Sequence, residues 1–105
     1  MKHWFVTLRM YIGEFEKLSQ LVIEAPTEDT AKLAALCAES HGPATIIDGK
    51  WWDGGGQMVY EVQEIIPISI GIYAMLREIR CASNHYDPEE VADICPDYAE
   101  ENFTP

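Results

Sequence analysis

Trp51-Trp52-Asp53-Gly54-Gly55-Gly56-Gln57-Met58-Val59-Tyr60-Glu61-Val62 is the stretch on which the fold turns. Two tryptophans run into three glycines, and the glycines into an alternating run. Met58, Tyr60 and Val62 fall on one side of an extended chain and Gln57, Glu61 and Gln63 on the other, the period of a half-buried antiparallel strand. Ile65 and Ile66 extend it up to Pro67. The glycines precede a strand rather than a helix and lack a downstream Gly-Lys-Ser/Thr, so a phosphate loop is a poor reading. They read instead as a bulge or hairpin loop that needs positive φ. An extended segment sends Trp51 and Trp52 to opposite faces. This predicts one tryptophan in the core and one exposed as an apolar contact for a partner, without saying which.

Upstream, Trp4, Val6, Leu8, Met10 and Ile12 share one parity, and His3, Phe5, Thr7, Arg9 and Tyr11 the other. That is a strand with one strongly apolar face. Gly13-Glu14-Phe15-Glu16 supplies a turn, and Leu18–Ala25 returns with Leu21 and Ile23 inward, giving a β-hairpin. Pro26 stops the strand, Thr27 is placed to cap a helix, and Glu28 and Asp29 complement its positive end. The helix spans Thr27–His41, with Ala31, Ala34, Ala35 and Ala38 as a small-residue stripe and Leu33, Leu36 and Cys37 widening the apolar surface. Gly42 ends it and Pro43 prevents continuation. Ala44–Ile47 is a short strand, and Asp48-Gly49 a tight turn before Lys50.

Downstream of Pro67 the period changes. Ile72, Met75, Leu76 and Ile79 stand at i, i+3, i+4 and i+7, with Ser69 as cap, so a second amphipathic helix follows. Its stripe is the expected cover for the wide apolar surface of the first helix. Asp87-Pro88-Glu89-Glu90 then has the chemistry of a helix start, and a short helix runs through Ile94 until Pro96. Val91, Ile94, Tyr98 and Phe103 are anchors that dock this segment.

The expected fold is therefore α+β, with a three- or four-stranded antiparallel sheet of ββαβ order, one helix packed on it and a C-terminal helical acidic extension. Residues 1–82 form the core domain and 83–105 the docked acidic segment. At 105 residues, 48% of them hydrophobic, the chain suits one folded domain rather than disorder. No apolar run is long enough to span a bilayer, and Met1-Lys2-His3-Trp4 lacks the layout of a signal peptide. A soluble, cytoplasmic protein is expected.

Charge narrows the function. The net charge is −11, and from Asn84 onward seven acidic residues stand without a Lys or Arg. Such a surface repels phosphate backbones and anionic lipids, which argues against direct nucleic-acid or membrane binding, and it attracts a basic protein surface. Asp87, Glu89, Glu90, Asp93, Asp97, Glu100 and Glu101 are the candidate partner-binding carboxylates, with Trp51 and Trp52 as the apolar candidates. Carboxylates on a rigid surface imitate nucleic-acid phosphates and fill a basic groove, while the ordinary role of such a face is solubility.

Other chemistry is poorly supported. Cys37, Cys81 and Cys95 are scattered and odd in number, which suits a reducing compartment. Cys81 with His85, and Cys37 with His41, lack the spacing of a zinc site, so no metal is expected. Ser40-His41 and Cys81 with His85 lack an orienting acid and an oxyanion motif. No cofactor and no enzymatic activity are expected.

Met1-Lys2-His3-Trp4-Phe5-Val6-Thr7-Leu8, Ala25-Pro26-Thr27-Glu28-Asp29-Thr30-Ala31 and Trp52–Val62 together resemble small single-domain proteins of bacteriophages and prophages. Anti-CRISPR inhibitors of host defence are among these. The resemblance covers about the first two thirds of the chain and carries no residue-level motif, so no binding residue transfers through it. It implies a protein-binding inhibitor that blocks a basic surface of a defence nuclease complex in the host cytoplasm. The alternative is a structural or accessory phage protein that acts as a homo-oligomer, a homodimer included, through the apolar tail and an exposed tryptophan.

Overall fold

The computed structural model describes residues 1–53 and 57–96. The hairpin forms from β1 (Lys2–Ile12) and β2 (Phe15–Ala25), in register from Lys2 opposite Ala25 to Ile12 opposite Phe15. Gly13 takes φ 61° at the first turn position, where a side chain would be strained, so the turn needs only two residues and β2 starts earlier than Leu18. Helix α1 (Glu28–Glu39) begins at Thr27, whose hydroxyl accepts from the Thr30 amide at 3.2 Å, while the Thr30 hydroxyl accepts from the Thr27 amide at 3.0 Å. This reciprocal pair satisfies two backbone donors at the helix entrance. Strands β3 (Thr45–Ile47) and β4 (Lys50–Asp53) follow, joined by Asp48 and Gly49 at φ 53° and 76°. Both turn residues at positive φ match the right-handed twist of the paired strands.

Strand β5 (Met58–Ile68) pairs antiparallel with both β1 and β4. A bulge opposite Thr7 and Leu8 leaves Gln63 unpaired, so Val62 and Ile65, three apart, both pack against the apolar face of β1. Helix α2 (Ile70–Glu78) starts at Ser69, which accepts from the Ile72 amide at 3.2 Å. Strand β6 (Ala82–His85) and helix α3 (Pro88–Ile94) complete the described chain.

The sheet corrects the expectation from sequence. Among the described residues it has six strands in the order β3-β4-β5-β1-β2-β6 and is mixed, because β6 runs parallel to β2; three helices accompany it there rather than one helix and an extension. Two short strands account for the difference. Lys50-Trp51-Trp52-Asp53 is too short to show a period, and Ala82-Ser83-Asn84-His85 has no apolar alternation. β6 is held instead by its ladder to β2 and by the Asn84 side-chain amide, which donates to the Ala34 carbonyl at 2.9 Å. The segment from residue 83 onward thus begins inside the sheet.

The second helix does not cover the first. Strands β2, β3, β5 and β6 all point the same way, so β2-α1-β3 and β5-α2-β6 are both parallel crossovers, and they travel in opposite directions across the sheet. Crossovers of one hand that travel oppositely place their helices on opposite faces. α1 packs on the face of Trp4, Val6 and Leu8. α2 lies on the other, where the Tyr73 ring packs against His3 at a tilt of 46°, with 4.4 Å between ring centroids. Val22, on that second face, is consequently as buried as Leu21 and Ile23. The cover of α1 is α3: Val91 and Cys95 join Leu33 and Cys37 in a second core cluster.

Candidate protein-contact surface

Trp51 and Trp52 take opposite faces of β4. Trp51 stands between Ile46 and Tyr60 in the ladders, is 2% exposed, and donates its indole N–H to Ser40 Oγ at 2.6 Å. Trp52 stands opposite Thr45 and Val59 and is half-buried; its indole Nε1 has no hydrogen-bond partner among the described residues. Trp51 is therefore a core residue, while Trp52 keeps a partly accessible ring whose unpaired indole N–H is itself buried. Beside them the buried Asp53 accepts the His41 amide at 2.8 Å through Oδ2, tying β4 to the end of α1. Burial raises the Tyr60 hydroxyl above its ordinary range, and the neighbouring Asp53 carboxylate raises it further.

Helix α3 is built from its cap outward. Asp87 Oδ1 accepts the Glu89 amide at 2.9 Å and Pro88 occupies the first turn, where its missing N–H costs nothing. Val91 and Cys95 are buried, and the Ala44 amide donates to the Ile94 carbonyl at 2.7 Å. Seven residues do not hold a helix in water, so these contacts keep α3 formed. The fixed orientation presents Glu89 and Asp93 to solvent one turn apart, with Asp87 and Glu90 half-buried beside them. Among the described residues none of these four carboxylates is in an ion pair. Asp97, Glu100, Glu101, Tyr98 and Phe103, and the glycines Gly54–Gly56, lie outside the described residues.

The inner side of α3 faces the thiol of Cys37. Burial, then the charges of Glu90, Cys95 and Asp87, push that thiol from its ordinary 9.0 up to about 12. Folded Cys37 keeps its proton where an unfolded thiol has lost it. Its contribution to stability is therefore full below about pH 9 and is lost as pH rises toward 12. Tyr60 acts in the same direction. The urea midpoint is expected to fall as pH rises from about 9 to about 11, and Cys37→Ala to flatten that slope in part. A slope unchanged by the substitution would place the alkaline sensitivity elsewhere.

One surface is not visible in the sequence. Ile70 and Ile79 are each 70% exposed, and Ile72 and Met75 are exposed with them, on the flank of α2 that the sheet leaves open. The apolar arc of α2 is wider than the sheet contact, and only Tyr73 is buried. Periodicity placed these residues on a helix but not on an open flank. The Cys81 thiol donates to the Gln20 carbonyl at 3.6 Å. Among the described residues no three His, Cys, Asp or Glu converge to hold a metal ion, and no helix is long and apolar enough to cross a membrane.

Fold and surface together define a small mixed-sheet α+β domain with a docked acidic helix on one face and an open apolar helix flank on the other. Comparison with family models, with curated proteins and with solved structures gives no match.

Proposed function

We propose that this chain is a protein-binding inhibitor of the anti-CRISPR type, which occludes a basic surface of a host-defence nucleic-acid-binding complex with the carboxylates of α3. It works in the host cell cytoplasm, without catalysis or cofactor, and contacts protein rather than nucleic acid. One observation carries the reading: among the described residues Asp87, Glu89, Glu90 and Asp93 are in no ion pair, and they ride on a helix pinned by Val91 and Cys95. Carboxylates held in place lose little freedom on binding, and their field speeds and orients encounter with a basic groove. Binding to purified defence nuclease complexes, measured at low and high salt, tests it. A salt-sensitive complex is expected, weakened about tenfold or more by Glu89→Lys with Asp93→Lys. No salt-sensitive partner, or full affinity in that variant, overturns the reading.

The open flank of α2 favours a second reading, a homo-oligomeric phage protein. Ile72, Met75 and Ile79 form a stripe centred on Met75, which suits antiparallel packing against a second copy. Arg77 and Arg80, with only Glu78 nearby on the helix end, make this the least repulsive place for two chains of charge −11 to meet. Light scattering decides it: a stable dimer abolished by Met75→Lys supports this reading, and a monomer at all concentrations excludes it.

A further inference from the structure

Helix α1 and the β3–β4 hairpin stand side by side over β5, with a cleft of about 570 Å3 between them, within the size range of ligand-binding pockets. Leu36, Ile46 and Val62 give it an apolar lining, and Trp51 forms part of the wall. Charge is arranged around that lining from both sides. Asp29 contributes from the first turn of α1, and Asp48 from the turn whose two positive φ angles fix its position.

Two lysines also border the cleft, but both already have carboxylate partners. Lys32 Nζ lies 3.7 Å from Glu28 and Lys50 Nζ lies 3.9 Å from Glu61. Asp29 and Asp48 are in no ion pair among the described residues. An anionic guest would have to take a lysine from its carboxylate; a cationic guest finds two unpaired carboxylates on opposite walls. The overall charge of −11 favours the cation again.

We propose that this cleft receives, from a polypeptide partner, an apolar side chain flanked by lysine or arginine. The apolar residue fills the space between Leu36, Ile46 and Val62, and the flanking cations reach Asp29 and Asp48. An anchor side chain in a desolvated pocket, enclosed by rim contacts that exclude water, is the usual architecture of an interface hot spot, and here the rim charges add selectivity for a basic partner. This proposal rests on the reading of a basic protein partner and adds a second contact point, made by residues separate from the carboxylates of α3.

The probe is Ac-Arg-Leu-Arg-amide, titrated against the whole chain by amide NMR, beside Ac-Glu-Leu-Glu-amide and Ac-Arg-Ser-Arg-amide. Saturable shifts at Ile46, Gly49, Lys50 and the Trp51 indole are expected with the first peptide only. Asp29→Asn with Asp48→Asn should weaken them about fivefold or more. Both changes are isosteric, and asparagine accepts the positive φ at position 48, so the fold is kept. Equal binding of the acidic peptide, shifts confined to α2 or α3, or indifference to the double variant overturns the proposal. So does binding of 4-phenylbutylamine but no tripeptide, which makes the cleft a small-molecule site, or concentration-dependent shifts without any peptide, which fill it with a second copy. The two proposals fail separately. Glu89→Lys with Asp93→Lys leaves tripeptide binding intact, and failure of the tripeptide leaves the salt-sensitive contact of α3 standing.

Discussion

Trp51→Ala is expected to lower the unfolding free energy by about 3–5 kcal/mol, the cost of emptying a large buried aromatic site. The ring is 2% exposed and packs in one cluster with Met10, Leu33, Cys37, Ala44 and Tyr60. That cluster joins β1, α1, β4 and β5, so no single element moves to fill the space. The substitution also removes the 2.6 Å bond from the indole N–H and leaves the Ser40 hydroxyl without this donor. A domain of this size has about 5–15 kcal/mol in total, so a large share would go. Trp51→Phe separates the terms, keeping part of the ring volume while losing the hydrogen bond, at about 1–2 kcal/mol. Urea denaturation followed by circular dichroism measures both without relying on Trp4 and Trp52 fluorescence. A loss below about 1 kcal/mol for the alanine variant would mean that Trp51 is not a keystone of the second cluster.

Val91→Asp has an effect of similar size by another route. Val91 is 1% exposed, and a carboxylate at that place is either desolvated at a cost of several kcal/mol or escapes by moving α3 away. Escape is the cheaper course, since α3 has seven residues and depends on docking to stay helical. The first core cluster, built on Trp4, Val6, Leu8 and Ile23, does not include Val91 and holds the hairpin and α1 together. The expected outcome is a retained sheet spectrum together with exposure of Cys37, whose modification by a thiol reagent at neutral pH rises about tenfold or more. Cooperative loss of the whole sheet signal would show instead that α3 belongs to a single folding unit with the core. The consequence for function is direct, because the carboxylates of Glu89 and Asp93 keep a fixed geometry only while Val91 stays buried.

Trp51 and Val91 also mark the limit of local reading. The alternation of Met58, Tyr60 and Val62, the cap at Thr27, the Asp48-Gly49 turn and the Asp87-Pro88 helix start all correspond to the elements found. Each is decided within a few residues, by which backbone angles a side chain tolerates and which amides it caps. For the candidate surface, spacing and charge placed Asp87, Glu89, Glu90 and Asp93 on one short helix. The depth of Trp51 against Trp52 was open, because alternation assigns faces and does not say which face is covered.

What neighbouring residues determine by themselves, then, is the run of strands, turns and capped helices, and the acidity of the C-terminal segment. What only the tertiary structure decided is which of these pieces meet. β6 carries no apolar period and joins the sheet through backbone pairing with β2, a partner about sixty residues away. α2 went to the face opposite α1 because two parallel crossovers of one hand ran in opposite directions, and that left Ile70, Ile72, Met75 and Ile79 open to solvent. α3 took the place on α1 that the period of α2 had suggested for that helix. Apolar spacing says that a face needs cover; the order and direction of strands determine what supplies it.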